Sequence, residues 1–100
     1  MKPIFVQIKC ELTKAMEVAA WLVDNIEETC EVYSTSGTFD LLVKFELADE
    51  QSFGDFVTSK VQRVPGVRDT YSIVAFQLQW SPKARPNLEP RPEPLRKSGG

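Results

Sequence analysis

The stretch Ser36-Gly37-Thr38-Phe39-Asp40 gathers groups able to handle a polar ligand. It offers two hydroxyls, a glycine that lets backbone N–H groups approach an anion, and one carboxylate ahead of a nearly all-apolar run. Aspartate is among the residues least favoured in a sheet, so Asp40 needs a reason. Its carboxylate can accept a hydrogen bond from a ligand ammonium, a contact of about 1.5–3 kcal/mol net. It can equally cap the turn through its own neighbours, as aspartate often does. Thr70 and Ser72 lie one strand period apart, which puts both hydroxyls on the same side. They too read either as ligand contacts or as ordinary strand residues. Catalysis finds no support. The chain has no histidine, and Asp40 with Thr70 and Ser72 forms no evident base–nucleophile arrangement. Cys10 and Cys30 stand far apart inside apolar runs, without a CxxC of the kind a copper chaperone carries or any usual zinc spacing. No metal or cofactor site is expected, and both cysteines read as buried free thiols in a reducing compartment.

These residues must be positioned by a single domain, because 100 residues suffice for one. Residues 1–80 hold nearly all the apolar residues and carry a net charge of −5, whereas 81–100 hold five of the seven prolines and carry +3. The first part reads as a globular body and the second as a disordered, proline-rich tail. An acidic body without a basic stripe is a poor partner for phosphate backbones, so no direct nucleic-acid contact is expected. The longest apolar run, around Ala15–Val23, is broken by Glu17 and too short for a bilayer. With no cleavable leader in the first residues, a cytoplasmic location is expected.

Alternation over 4–10 predicts a strand with Ile4, Val6, Ile8 and Cys10 on one face. Thr13 is placed to cap a helix through Ile26, with Ala15, Val18, Ala19, Leu22 and Ile26 facing the core and Trp21 at its edge. Strands are predicted over 29–36 and 39–47, joined by a hairpin at Gly37. Phe39 shares the inner face of the third strand with Leu41, Val43, Phe45 and Leu47. A second helix starts at Asp49, buries Phe53, Phe56, Val57, Lys60, Val61 and Val64, and stops at Pro65-Gly66. A last strand covers 68–80. The order β-α-β-β-α-β is the split-βαβ, ferredoxin-like α+β pattern: a four-stranded antiparallel sheet with both helices on one face. The other face would display Phe5, Leu42 and Tyr33. An apolar patch of that kind on a body of this size favours a dimer joined sheet to sheet.

SGTFD at 36–40 followed by VPGVRDTYSIV at 64–74, both on this element order, resembles the C-terminal effector-binding domain (RAM domain) of the Lrp/AsnC, or feast/famine, transcription regulators. The resemblance covers about residues 3–80. It implies sheet-packed dimers that assemble into octameric or similar rings, with a free amino acid or similar small molecule bound in clefts between dimers. The implied ligand contacts are Ser36, Gly37, Thr38, Phe39 and Asp40 from the turn and Thr70, Ser72, Ile73 and Val74 from the last strand. The regulators carry a helix-turn-helix domain ahead of this one, and here the first strand begins at Pro3. The expectation is a stand-alone version that works alone or joins a full-length regulator. Two alternatives remain open: an oligomerisation subunit without a ligand, and an ACT-like amino-acid sensor whose sheets pair side by side.

Overall fold

The computed structural model describes residues 1–79 and Ser81. The elements run β1 (Lys2–Cys10), α1 (Ala15–Asn25), β2 (Thr29–Ser34), β3 (Leu41–Leu47), α2 (Phe53–Ser59), a 3-10 turn (Val61–Arg63) and β4 (Val67–Val74). The four strands form one antiparallel sheet in the order β2-β3-β1-β4. This is the expected ferredoxin-like arrangement.

Strict alternation builds the core. Ile4, Val6, Ile8 and Cys10 of β1 and Leu41, Val43, Phe45 and Leu47 of β3 are buried on one face, against Val18, Leu22 and Ile26 of the first helical segment and Phe56, Val57, Val61 and Val64 of the second. Phe45 and Phe56 meet edge to face with centroids 4.9 Å apart. Pro65-Gly66 closes the second helical segment as expected. Gly66 sits at φ +95, and a Cβ there would lie 2.9 Å from Val18 Cγ2, so backbone and α1 pack too closely for any side chain.

Several boundaries differ from the sequence expectation. Thr13 does not cap α1: it adopts φ +67, Lys14 occupies the cap position, and no side chain bonds there. The chain must turn sharply after β1, and Thr13 takes the left-handed conformation that achieves it. Such a conformation costs a β-branched residue about 1–2 kcal/mol. Thr13→Gly is therefore expected to raise stability by roughly 0.5–1 kcal/mol after the added freedom of the unfolded chain is subtracted, read by urea denaturation.

The second helix starts at Phe53 rather than Asp49, because Ser52 Oγ accepts the Asp55 N–H as the N-cap. Asp49 instead pairs with the N-terminal ammonium at 3.1 Å. The helix ends at Ser59 and tightens into the 3-10 turn, and Lys60 is exposed, its amine reaching Glu28. Trp21, 38% exposed beside the buried Leu22, lies at the edge of the core. Cys10 is buried, but Cys30 is exposed on the edge strand β2, where the register with β3 shifts between Thr29 and Glu31.

β2 stops at Ser34, and β4 stops at Val74 instead of running to Trp80. The ladder partner of Val74 is Ile4; the next residue of β1, Pro3, has no N–H to donate. Residues 75–79 leave the sheet with Phe76 and Leu78 exposed. The proline-rich 82–100 and Trp80 lie outside the described residues.

Candidate functional site

The turn between β2 and β3 is built by hydrogen bonds at its base. The Thr35 N–H donates to the Asp40 carbonyl at 3.0 Å, and the Thr35 hydroxyl donates to the Phe39 carbonyl at 3.0 Å. Ser36, Gly37 and Thr38 stand exposed beyond this closure, with Gly37 at φ +107, a conformation that only glycine adopts without strain. Lys9 Nζ donates to the Thr38 carbonyl at 3.0 Å and tethers the turn to β1.

Asp40 precedes β3 rather than lying within it. Its N–H donates to the Ile8 carbonyl at 2.9 Å, and its carboxylate Oδ2 accepts the Cys10 N–H at 2.8 Å. The side chain thus substitutes for a backbone carbonyl where β1 leaves β3, and satisfies an amide that would otherwise lack a partner. Burial first, then the Asp40 carboxylate, raises the Cys10 thiol pKa, with Lys9 opposing them. The thiol stays protonated and inert.

Phe39 is not on the core face with Leu41. The turn interrupts the strand alternation, and its half-buried ring lies 6.4 Å from that of Tyr71. This is the one ring contact that links the turn to β4 among the described residues.

The four β4 candidates divide between two faces. Thr70, Ser72 and Val74 pair with Ile8, Val6 and Ile4 and so share the helix-side face, while Ile73 pairs with Phe5 on the open face. The Thr70 hydroxyl accepts from Gln62 Nε2 at 2.9 Å. The sequence-nominated residues therefore do not converge on one pocket within a chain. Asp40 alone among them lines the cavity at the β1–α1 corner, which it shares with Arg68.

A second polar cluster was not legible in the sequence. The Glu28 side chain is only 10% exposed, and its Oε2 accepts from Lys60 Nζ and Gln51 Nε2, each at 3.0 Å. Burial pushes the Glu28 carboxyl pKa up, but the hydrogen bonds from Lys60 and Gln51 outweigh it, so the net shift is below the usual 4.5. A lowered folded-state pKa stabilises the fold above the unfolded value, and that gain fades as pH falls through the folded one. The stability gap between the wild type and Glu28→Gln is expected to be full at neutral pH and to narrow steadily below pH 4.5, measured by urea unfolding at each pH.

The chain combines an antiparallel β-α-β-β-α-β sheet covered on one face with a glycine turn and an aspartate just ahead of the third strand. Residues 4–83 match the Lrp/AsnC ligand-binding domain model, and the chain belongs to that family. It is 33% identical over 73 residues to the HTH-type transcriptional regulator FL11 of Pyrococcus abyssi, a match that covers 73% of this chain and 47% of the relative. The chain thus spans about half the length of the curated relatives it matches. Among solved structures, FFRP-DM1 superposes with a TM-score of 0.69 at 28% identity, over 76% of this chain and all of that one. A transcriptional regulator of Neisseria meningitidis, solved as a complex with L-Met, shares the fold with a TM-score of 0.68 at 21% identity, over 85% of this chain and 56% of that one. No helix among the described residues is long and apolar enough to cross a membrane.

Proposed function

We propose that this chain is a non-enzymatic effector-binding module of an Lrp/AsnC-type regulatory system. It self-associates through the open face of its sheet and takes a small polar effector, a free amino acid foremost, beside the β2–β3 turn. One observation carries the reading: Ser36, Gly37 and Thr38 form an exposed, tethered rim next to an uncovered apolar sheet face. A neighbouring copy seated on that face would bring a second wall to the rim, and so turn a flat edge into a cleft. The relatives named as transcriptional regulators support a regulatory role, and the L-Met complex of the Neisseria protein favours an amino-acid effector over other small molecules. Full-length regulators of the same family are natural partners, since they present the same kind of sheet.

A ligand-free assembly subunit is the rival, and the bond between Asp40 and Cys10 favours it because it gives the carboxylate a structural task. Thermal unfolding of the full chain against each of the twenty amino acids, with mass measured by light scattering, separates the two. A ligand that binds the native assembly raises the melting temperature in proportion to the logarithm of its concentration. A response confined to one or a few related amino acids is expected. Twenty flat responses with an intact assembly would leave the structural subunit standing.

A further inference from the structure

A shallow groove of about 480 Å3 runs between α1 and the edge strand β2, with Met16, Ala20, Val23, Asp24 and Val32 in its wall. Met16 is 81% exposed and Val23 62%, so this apolar strip stands open to water. The same segment holds the net charge of the body. Residues 11–31 carry Glu11, Glu17, Asp24, Glu27, Glu28 and Glu31 against Lys14 alone, a net −5, while the rest of 1–80 balances six acids with six bases. Lys14 pairs with Glu17 and Lys60 with Glu28, but the carboxylates of Asp24 and Glu27 have no ion pair among the described residues.

The C-terminal stretch of the same chain has the complementary chemistry. It carries Lys83, Arg85, Arg91, Arg96 and Lys97 against Glu89 and Glu93, among five prolines. A polyproline II helix turns once every three residues, so RPNLEPR at 85–91 would set Arg85, Leu88 and Arg91 on one face at intervals of about 9 Å. The described chain already heads toward the groove. Gln77 and Gln79 share a cavity wall with Met1, with Phe5 of β1 and with Lys44 and Glu46 of β3, so past β4 the chain turns back across the Met1 end of the sheet toward β2. Nine residues separate Gln79 from Leu88, a reach of about 28 Å in that conformation. The path needs about 10 Å across two strand spacings and about 10 Å more to the helix layer.

We propose that the groove between α1 and β2 is the docking site of residues 85–91 of the same chain. Leu88 enters between Val23 and Val32, where it finds apolar walls. The arginines that flank it reach the acids at the two ends of the groove, Asp24 and Glu27 at one and Glu17 at the other, with a planar fork that matches a carboxylate. Docking covers Val23 and Met16 and offsets the charge of α1, so the chain closes its own acidic, apolar face to other basic partners. The site lies on the helix side of the fold and does not depend on where an effector binds.

The test uses the full chain, 15N-labelled, with a nitroxide on Cys30, which is exposed on β2 while Cys10 is buried. The amides of Asn87 and Leu88 are expected to broaden relative to the reduced label. Leu88→Ser should lose that broadening, as should Arg85→Glu with Arg91→Glu, and Asp24→Lys with Glu27→Lys. Combining the two charge reversals should restore it, which a merely damaged helix could not do. Glu50→Lys removes an exposed acid away from α1 and should change nothing. Full-intensity signals for Asn87 and Leu88 in the wild type, or broadening that survives the arginine reversal, would overturn the docking. An equimolar mixture of nitroxide-bearing unlabelled chain and nitroxide-free 15N chain reports on neighbours. Broadening in that mixture would give the groove to another copy and overturn the intrachain site; none is expected.

Discussion

Asp40→Ala is expected to lower the stability of the fold by about 1–3 kcal/mol, because it leaves the part-buried Cys10 N–H without an acceptor. The loss comes from one lost bond and from slackening where three segments meet. Asp40 also gives its carbonyl to Thr35 and its amide to Ile8, and those backbone bonds outlast the substitution. Asp40→Asn separates structure from binding. The amide oxygen of asparagine can accept the same Cys10 N–H, so most of the stability returns, short by up to about 1 kcal/mol for the lost charge. Asparagine brings no negative charge for a ligand ammonium, so amino-acid affinity is expected to drop about tenfold or more in a protein that still folds. Urea denaturation reads the first effect and calorimetric titration the second. If alanine cost nothing, water would be satisfying Cys10 and the carboxylate would be wholly free for another task.

Asp40 also marks how far the sequence could be read. That an aspartate before LLVKF needed a reason was visible from residue types alone. Its partner was not, since the bond spans thirty positions and depends on a register that pairs Ile8 with Leu41. The same limit explains Phe39. Alternation puts it on the inner face, but alternation holds only inside a ladder, and the Thr35 bonds close the turn before that ladder begins. The core of β1 and β3 was legible because both strands lie in the middle of the sheet, buried on one side and not the other, so every second residue had to be apolar. Edge strands carry no such demand. For that reason β2 and β4 end sooner than their residue types suggest, and Cys30 is exposed despite its apolar neighbours. Glu28, Gln51 and Lys60 lie on three separate segments, and no spacing rule joins them. Arg68 and Glu11 meet at the β1–α1 corner likewise only through the fold, because 56 intervening residues bring the chain back there.

The double substitution Leu42→Glu with Ile73→Glu is expected to convert the assembled protein to a folded monomer. The open face carries two cross-sheet rows, Tyr33–Leu42–Gln7–Tyr71 and Lys44–Phe5–Ile73, whose apolar members are exposed or half-buried. Within one chain both substituted side chains can reach water, so the core behind them is untouched and circular dichroism should match the wild type. In a face-to-face pair each of them is stripped of water. An unpaired charge buried in such an interface costs several kcal/mol, and twofold symmetry repeats every change on the partner. Four new carboxylates in one seam should weaken association by well over a hundredfold, which is about 2.7 kcal/mol. Leu12→Glu with Val23→Glu makes the fair comparison. Those residues are more exposed and sit on the α1 side, so the same added charge should leave the mass by light scattering unchanged. A wild-type chain already monomeric at high concentration, or a double variant still paired, would mean that the sheet face is merely wet. The β2–β3 rim would then have no neighbour to complete it.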